Sequence, residues 1–117
     1  MKDFRDLNVW QKAHELTLAV YKTTSRFPAD ERFGLTSQMR RACVSIPSNI
    51  AERCGRDGDK DFKRFLQIAM GSGSEVEYQF LLARDLEYLD AQSYDFLNTR
   101  IIEVKRMLTA LINRLKS

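Results

Sequence analysis

Hydrophobic side chains recur along this chain every three or four positions, and no useful length of it alternates between apolar and polar residues. Such spacing places side chains on one face of an α-helix. The clearest run has the spacing 4-3-4-3-4 and consists of Leu97, Ile101, Val104, Leu108, Leu111 and Leu115. It is typical of a coiled-coil-like seam. We predict that this last helix follows residues 90–93.

The first predicted helix runs from about Asp6 to Arg26. It ends at Phe27 and Pro28, because a residue that precedes proline avoids the α-helical region. Five positions are predicted to share its apolar face: Leu7, Trp10, His14, Thr17 or Leu18, and Tyr21.

We predict that Asp30 or a nearby residue caps the second helix, which contains Leu35–Arg56 and closes at Gly55–Gly58. Its apolar stripe is predicted to contain Leu35, Met39, Ala42, Ile46 and Ile50 or Asn49. Pro47 lacks an amide hydrogen and crowds the carbonyl of Cys43, so we expect a kink there. The alternative is two shorter helices that meet at Ser45–Pro47.

The third helix opens at Asp57 or Asp59 and runs to about Leu89. Its stripe is predicted to contain Leu66, Ala69, Gly73, Val76, Phe80 and Ala83. Gly71 and Gly73 interrupt it. The spacing of three and four residues between apolar positions continues through both glycines. We therefore favour close approach of a neighbouring backbone over a local break in the helix.

Four long helices with short connections predict an all-α, up-down-up-down four-helix bundle that forms one domain over residues 1–117. The apolar content exceeds what one bundle seam needs. The surplus positions are Phe65, Ile68, Tyr78, Leu81, Leu82, Leu86, Tyr88 and Leu89 on the third helix, and Phe96, Ile102, Met107 and Ile112 on the fourth. Since monomers rarely expose large apolar patches, we expect a homo-oligomer. The alternative is a wide core stripe.

Two polar stripes run beside the core stripes of the second and third helices. They contain Gln38, Arg41, Ser45, Asn49 and Glu52, with Ser48, on the second helix and Ser72, Glu75 and Gln79 on the third. The simplest geometry sets these stripes against each other, with Arg41 paired to Glu75 or Glu52. Because buried polar groups must be paired, such a polar seam would align the two helices.

The residue types argue against several kinds of chemistry. His14 is the sole histidine, so neither a Ser-His-Asp set nor a zinc site is indicated. The sequence has no Gly-rich phosphate loop with a lysine and no dinucleotide fingerprint. Cys43 and Cys54 lie too far apart on one helix for a disulfide. We therefore expect no catalytic activity, no cofactor and no metal. The chain has no signal-peptide pattern and no membrane-spanning run, so we expect it in the cytoplasm.

Charge is unevenly distributed. The chain has 117 residues and a net charge of +3, which permits a nucleic-acid partner without demanding one. Residues 40–64 hold seven basic and four acidic side chains. Lysine and arginine neutralise phosphates and release counterions. The candidate nucleic-acid-binding residues are Arg40, Arg53, Arg56, Lys60, Lys63 and Arg64.

Five motifs give the chain a family resemblance. They are Phe4-x-x-Leu7-x-Val9-Trp10, Phe27-Pro28-x-x-Glu31-x-Phe33-Gly34-Leu35, Ser37-Gln38-x-x-Arg41-Ala42, Ser45-Ile46-Pro47-x-Asn49-Ile50-Ala51-Glu52 and Gly73-Ser74-x-Val76-Glu77-Tyr78-Gln79. Together they resemble the four-helix bundle family encoded in intervening sequences of bacterial 23S ribosomal RNA genes, over nearly the whole chain.

The resemblance implies a bacterial cytoplasmic bundle, commonly assembled as a homopentameric ring, with an RNA connection. Members are distantly similar to accessory proteins of diversity-generating retroelements, which act with a reverse transcriptase. The family name records where some genes lie and does not establish binding to ribosomal RNA. This chain departs from the pattern at Arg53, where the family usually has glycine, so we expect the second helix to run on to Gly55.

The sequence therefore favours a non-enzymatic, self-assembling bundle that binds RNA or single-stranded nucleic acid through a repeated basic surface. The alternative hypothesis is a protein-interaction scaffold with a protein partner and no nucleic-acid role. It would use the aromatic residues Tyr78, Tyr88, Tyr94 and Phe96.

Overall fold

The computed structural model describes residues 3–53 and 59–115, and among them the side chains of all but Arg53, Asp59 and Lys60. Within this part of the chain four α-helices follow one another and no strand occurs. They are α1 (Asn8–Thr24), α2 (Leu35–Arg53), α3 (Asp59–Asp85) and α4 (Ala91–Arg114), with short 3₁₀ turns at Phe4–Asp6 and Ala29–Glu31.

Each helix packs against its neighbours in sequence, and α1 closes the bundle against α4. The contact between α2 and α3 is the most extensive. The Cα atoms extend over 43 × 23 × 21 Å, which is the elongated shape of a bundle of near-parallel helices. The predicted all-α four-helix bundle is confirmed.

The predicted stripes of α2 and α4 form much of the core. On α2, Met39, Ile46 and Ile50 are fully buried. On α4, Leu97, Ile101, Val104 and Leu108 are buried, while Leu111 and Leu115 are partly buried against the same cluster. Helix α2 continues through the buried Pro47 as one element, so the alternative of two shorter helices is wrong. The kink stays a prediction.

The apolar face predicted for α1 is only partly right, because Leu7 and Trp10 pack against the core and Thr17 is buried while the other positions are exposed. Its buried side chains are Val9, Ala13, Leu16, Thr17, Val20 and Thr24. His14, Leu18 and Tyr21 are exposed. Helix α1 carries two stripes with helical spacing, and the prediction favoured the one with the larger side chains. The bundle buries the stripe with Ala13, because a small side chain lets neighbouring helices approach closely.

Gly73 lies where α3 contacts α4. A Cβ atom at this position would lie 3.1 Å from Lys105 Cγ and 3.7 Å from Ile101 Cδ1. These neighbours are side chains, so the expected close approach of a neighbouring backbone is wrong. At Gly71 a Cβ atom would meet nothing within 4 Å, and the helix is unbroken through both glycines.

Helix α3 ends four residues earlier than predicted, in a Schellman motif centred on Glu87. The Tyr88 N–H donates to the Ala83 carbonyl at 2.8 Å, and the Glu87 N–H donates to the Arg84 carbonyl at 2.9 Å. Glu87 has a φ of 65°, the left-handed conformation that this motif usually assigns to glycine.

Replacing Glu87 with glycine is expected to raise the free energy of unfolding by about 0.5–1 kcal/mol. Relief of the left-handed strain outweighs the added freedom of the unfolded chain. Urea unfolding measures the change. The control is Glu87→Ala, which removes the carboxylate but keeps the Cβ atom, and equal stability of the two variants would contradict the explanation.

Candidate functional site

Arg40 joins the beginning of α2 to the end of α1. Its Nε donates to Thr24 Oγ1 at 2.8 Å and its Nη2 donates to the Tyr21 carbonyl at 3.2 Å. The guanidinium carbon lies 4.6 Å from the centre of the Tyr21 ring. The first candidate in the basic set is therefore held in one position, where it caps the α1 C-terminus.

Of the other predicted basic residues, the structure describes the side chains of two. Lys63 is half-buried on α3, and the exposed Arg64 lies with its guanidinium carbon 5.0 Å from the centre of the Phe65 ring. Arg56 and the side chains of Arg53 and Lys60 lie outside the described part of the structure, as do the predicted helix closure at Gly55–Gly58 and the continuation of α2 to Gly55.

A groove of about 470 Å³ opens between the end of α1 and the first half of α2. We name it the arginine groove. It is lined by Tyr21, Arg32, Phe33, Thr36, Ser37, Arg40, Arg41, Val44 and Ser45. Three of these side chains are cationic and none is acidic, so the lining suits an anionic ligand.

Aromatic rings accompany the cations of the arginine groove. Phe33 is 89% exposed, more than the other large hydrophobic side chains of the described residues. The guanidinium carbon of Arg32 lies 5.9 Å from the centre of its ring. Exposed aromatic and guanidinium planes are the surfaces on which unpaired bases stack.

Sequence reasoning missed most of this groove. Arg32 and Phe33 were not among the candidates, and Arg41 was assigned to the polar seam. The available signal was a large aromatic residue placed just before a helix, with Arg40 and Arg41 two turns further on. Nothing in the spacing shows that Tyr21 of α1 lies beside them.

A second groove, of about 610 Å³, lies between α1 and α4. Its lining mixes Lys12, Arg100 and Arg106 with Glu15 and Glu103. Charges of both signs make it a weaker candidate for a polyanion than the arginine groove.

The predicted polar seam forms at its centre. Ser72 Oγ on α3 donates to Ser45 Oγ on α2 at 2.8 Å. Asn49 Nδ2 donates to the Ser45 carbonyl at 2.8 Å and to Ser45 Oγ at 3.0 Å. The bond between Ser72 and Ser45 links α3 to α2, and the bonds from Asn49 hold Ser45 within α2.

The seam does not extend to all of its predicted members. Gln79 Nε2 donates to Glu75 Oε2 at 3.1 Å within α3. Gln38 and Arg41 are exposed, and in the described part of the chain Arg41 forms no ion pair with Glu75 or Glu52. The expected Arg41–Glu75 pairing is wrong because the Arg41 side chain turns toward the arginine groove. Glu52 is exposed near the end of α2.

Gln79 has an unusual environment for an amide. It is 4% exposed, and its Oε1 receives no hydrogen bond from the described residues. Burying an amide oxygen without a donor costs free energy.

Glu31 ties the beginning of α2 to the end of α3. Its Oε1 accepts from the Leu35 N–H at 3.0 Å and its Oε2 accepts from the Tyr88 hydroxyl at 2.8 Å. These two bonds lower the pKa of Glu31, and the bond to Glu31 raises the pKa of Tyr88. A Cβ atom on Gly34 would lie 2.7 Å from Glu31 Oε1. We call Glu31, Gly34, Leu35 and Tyr88 the Glu31 clasp.

Groups with catalytic potential are not assembled in the described residues. Burial raises the pKa of Cys43 to about 11, which disfavours the nucleophilic thiolate. His14 is exposed and stacks on Trp10. Across residues 3–53 and 59–115 no cluster of three potential metal ligands occurs. Of the helices described, none combines the length and hydropathy needed to span a membrane.

The family model for the 23S rRNA-intervening sequence protein matches residues 5–110. The chain belongs to this family. Its structure is similar to the crystal structure of a protein of unknown function from the S23 ribosomal protein family of Bacteroides thetaiotaomicron VPI-5482. The TM-score is 0.80 and the identity 27%, over 89% of this chain and 97% of that chain. No curated protein matches the sequence.

The structure gives a physical reason for two of the motifs that carry the family resemblance. The motif at residues 27–35 supplies Glu31, Gly34 and Leu35 of the Glu31 clasp and the exposed ring of Phe33. The motif at residues 45–52 supplies Ser45, which bonds to Ser72 of α3, and Asn49, which bonds to Ser45. Both motifs contribute to contacts between elements of this chain.

Proposed function

We propose that this chain is a non-enzymatic, self-assembling bundle that binds RNA or single-stranded nucleic acid through a repeated basic surface. The arginine groove carries the proposal, because it combines Arg32, Arg40 and Arg41 with the exposed ring of Phe33 and lacks a carboxylate.

The groove offers both kinds of contact that a single strand needs. Guanidinium groups bind phosphates by paired hydrogen bonds, and aromatic rings stack on unpaired bases at about 1–3 kcal/mol per base. Arg41 has no hydrogen bond or ion pair within the described residues, so its guanidinium keeps its donors for a ligand. Lys63 and Arg64 add cations on α3.

We expect single-stranded RNA to bind with an affinity that falls steeply between about 50 and 200 mM salt. Arg41→Gln should weaken binding and reduce the salt slope by roughly 0.7, the value for one lost contact to a single strand. Phe33→Ala should weaken binding about 5- to 150-fold at every salt concentration without changing the slope. Fluorescence anisotropy measures both quantities.

The control for the binding experiment is Arg106→Gln on α4, which removes an exposed cation outside the arginine groove. No binding at low salt, or an affinity indifferent to salt, would sink the proposal. A loss in Arg106→Gln as large as that in Arg41→Gln would show that the groove is not the binding surface.

Self-assembly is supported by apolar side chains that the bundle leaves exposed. Some of the apolar side chains that exceed the needs of one seam are covered within the bundle, since Phe65 and Leu89 are buried. Ile68 and Tyr78 on α3, and Leu86 just beyond the end of that helix, remain exposed. A second copy of the chain would cover these side chains, and a closed ring would repeat the arginine groove. We propose the homopentamer as its form.

Ile68→Glu is expected to shift the assembly toward the mass of one chain, because it places a charge at an exposed apolar position that a second copy would cover. Light scattering after gel filtration measures the mass. The control is Gln67→Glu, the same charge at the adjacent exposed position. An unchanged mass in Ile68→Glu, or dissociation by both substitutions, would contradict the assignment of Ile68 to the interface between copies.

The alternative scaffold role has less support, because three of its four aromatic residues have partners within the chain. Tyr88 bonds to Glu31, and the rings of Tyr94 and Phe96 lie 4.6 and 3.5 Å from the guanidinium carbons of Arg84 and Arg100. Co-purification with and without nuclease separates the two roles. A protein partner that survives nuclease treatment favours the scaffold.

A further inference from the structure

A smaller cavity, of about 330 Å³, lies beside the arginine groove at the turn between α1 and α2. We name it the turn cavity. It is lined by Thr24, Ser25, Phe27, Pro28, Ala29, Arg32, Thr36 and Arg40. Arg32, Thr36 and Arg40 line both cavities. The two spaces are therefore adjacent, with two cations on the boundary between them.

The boundary suits a phosphate. Arg40 is held by its bonds to Thr24 Oγ1 and the Tyr21 carbonyl, so little side-chain freedom is lost when it binds an anion. Those bonds use two of the five guanidinium N–H groups, which leaves three. Neither lining contains a carboxylate that would compete for the cations.

The spaces on the two sides suit bases. Each volume lies near the low end of the range of about 300–1,000 Å³ that is usual for sites of small organic groups. The arginine groove presents the exposed rings of Phe33 and Tyr21 as stacking surfaces. The turn cavity is lined by the exposed Pro28 and the buried Phe27, next to the oxygens of Thr24 and Ser25, whose hydroxyl groups donate to the Val20 and Lys22 carbonyls. Apolar surfaces beside a few polar groups are typical of sites that hold a base.

We infer that the two cavities bind one dinucleotide step of a single strand, with one base in each cavity and the linking phosphate on Arg32 and Arg40. This inference rests on the proposed function and makes it specific to single-stranded nucleic acid. In a duplex the bases are paired and stacked inside the helix, so they do not enter two separate cavities.

The test uses Ala29→Glu, which adds a carboxylate to the turn cavity at a residue that does not line the arginine groove. We expect at least ~10-fold weaker binding of a single-stranded RNA 20-mer. The matched control is Ala91→Glu, the same substitution at an exposed position at the start of α4, with an expected change below ~2-fold. A duplex of the same sequence should bind at least ~10-fold more weakly than the single strand. Equal melting temperatures of the two variants show that the fold is intact.

The possible results separate this inference from the proposed function. If single-stranded RNA binds in a salt- and Phe33-dependent manner but Ala29→Glu behaves like Ala91→Glu, the two-cavity assignment is overturned and the proposed function stands. Equal affinity for duplex and single strand also overturns the inference. If neither nucleic acid binds at low salt, both fail. Weakening by Ala29→Glu alone, with single-strand preference, supports the inference.

Discussion

Replacing Gly34 with alanine is expected to lower the free energy of unfolding by about 2 kcal/mol, because the added methyl group displaces the cap of α2. A Cβ atom would lie 2.7 Å from Glu31 Oε1, the atom that accepts from the Leu35 N–H. The carboxylate can swing away at little steric cost. In doing so it gives up both that cap and the bond from the Tyr88 hydroxyl.

Urea unfolding measures this loss, and Gly71→Ala is the matched control. Gly71 is exposed on α3, and a Cβ atom there would meet nothing within 4 Å. Alanine should therefore raise the free energy of unfolding by about 0.5–1 kcal/mol at this position, as in other helix interiors. Stabilisation by both substitutions would show that the Glu31 clasp contributes nothing.

The Glu31 clasp also predicts a dependence on pH. Because hydrogen bonds from Leu35 and Tyr88 lower the pKa of Glu31, its contribution is complete above its ordinary pKa of 4.5 and disappears as the pH falls through the folded value. The stability difference between the native chain and Glu31→Gln should accordingly be constant near neutral pH and shrink below pH 4.5. A difference that grows on acidification would contradict the assignment.

Gln79→Met is expected to raise the free energy of unfolding by about 1–2 kcal/mol. Gln79 is 4% exposed, and its Oε1 accepts no hydrogen bond from the described residues. Methionine has nearly the same shape, so the substitution removes the desolvation cost without opening a cavity. Glu75, which accepts a hydrogen bond from Gln79 Nε2, is exposed and remains hydrated.

The control for this substitution is Gln67→Met at an exposed position of the same helix, where a change within about 0.5 kcal/mol is expected. Thermal unfolding at two protein concentrations gives a further distinction. Destabilisation by Gln79→Met would contradict the prediction. If the destabilisation also varied with protein concentration, the donor to Oε1 would come from a second copy of the chain.

The buried face of a helix was predictable where the helix carries a single apolar stripe. Helix α4 has such a stripe, and Leu97, Ile101, Val104 and Leu108 are all buried as predicted. Helix α1 has two, and its own sequence does not decide between them. The shapes of α2 and α4, which pack on either side of it, decide which stripe is buried.

The sequence predicted the types of residue in the candidate site, but it predicted only some of their positions in the structure. The sequence shows a basic segment and two polar stripes, and the meeting of Ser45 with Ser72 follows from antiparallel neighbours. It does not show that Arg40 is held by Tyr21 and Thr24, or that Arg41 lines a groove instead of pairing with Glu75. Those positions depend on contacts between residues far apart in sequence.

By itself, the sequence determined the helical class, the order of the four helices, the core stripes of α2, α3 and α4, and the family. These follow from spacing and local motifs, which act over a few residues. Only the tertiary structure decided the buried face of α1, the Glu31 clasp and the arginine groove. All three depend on contacts between residues that are far apart in sequence. The partner of a long side chain is set by the residues of the neighbouring element, which local spacing does not show.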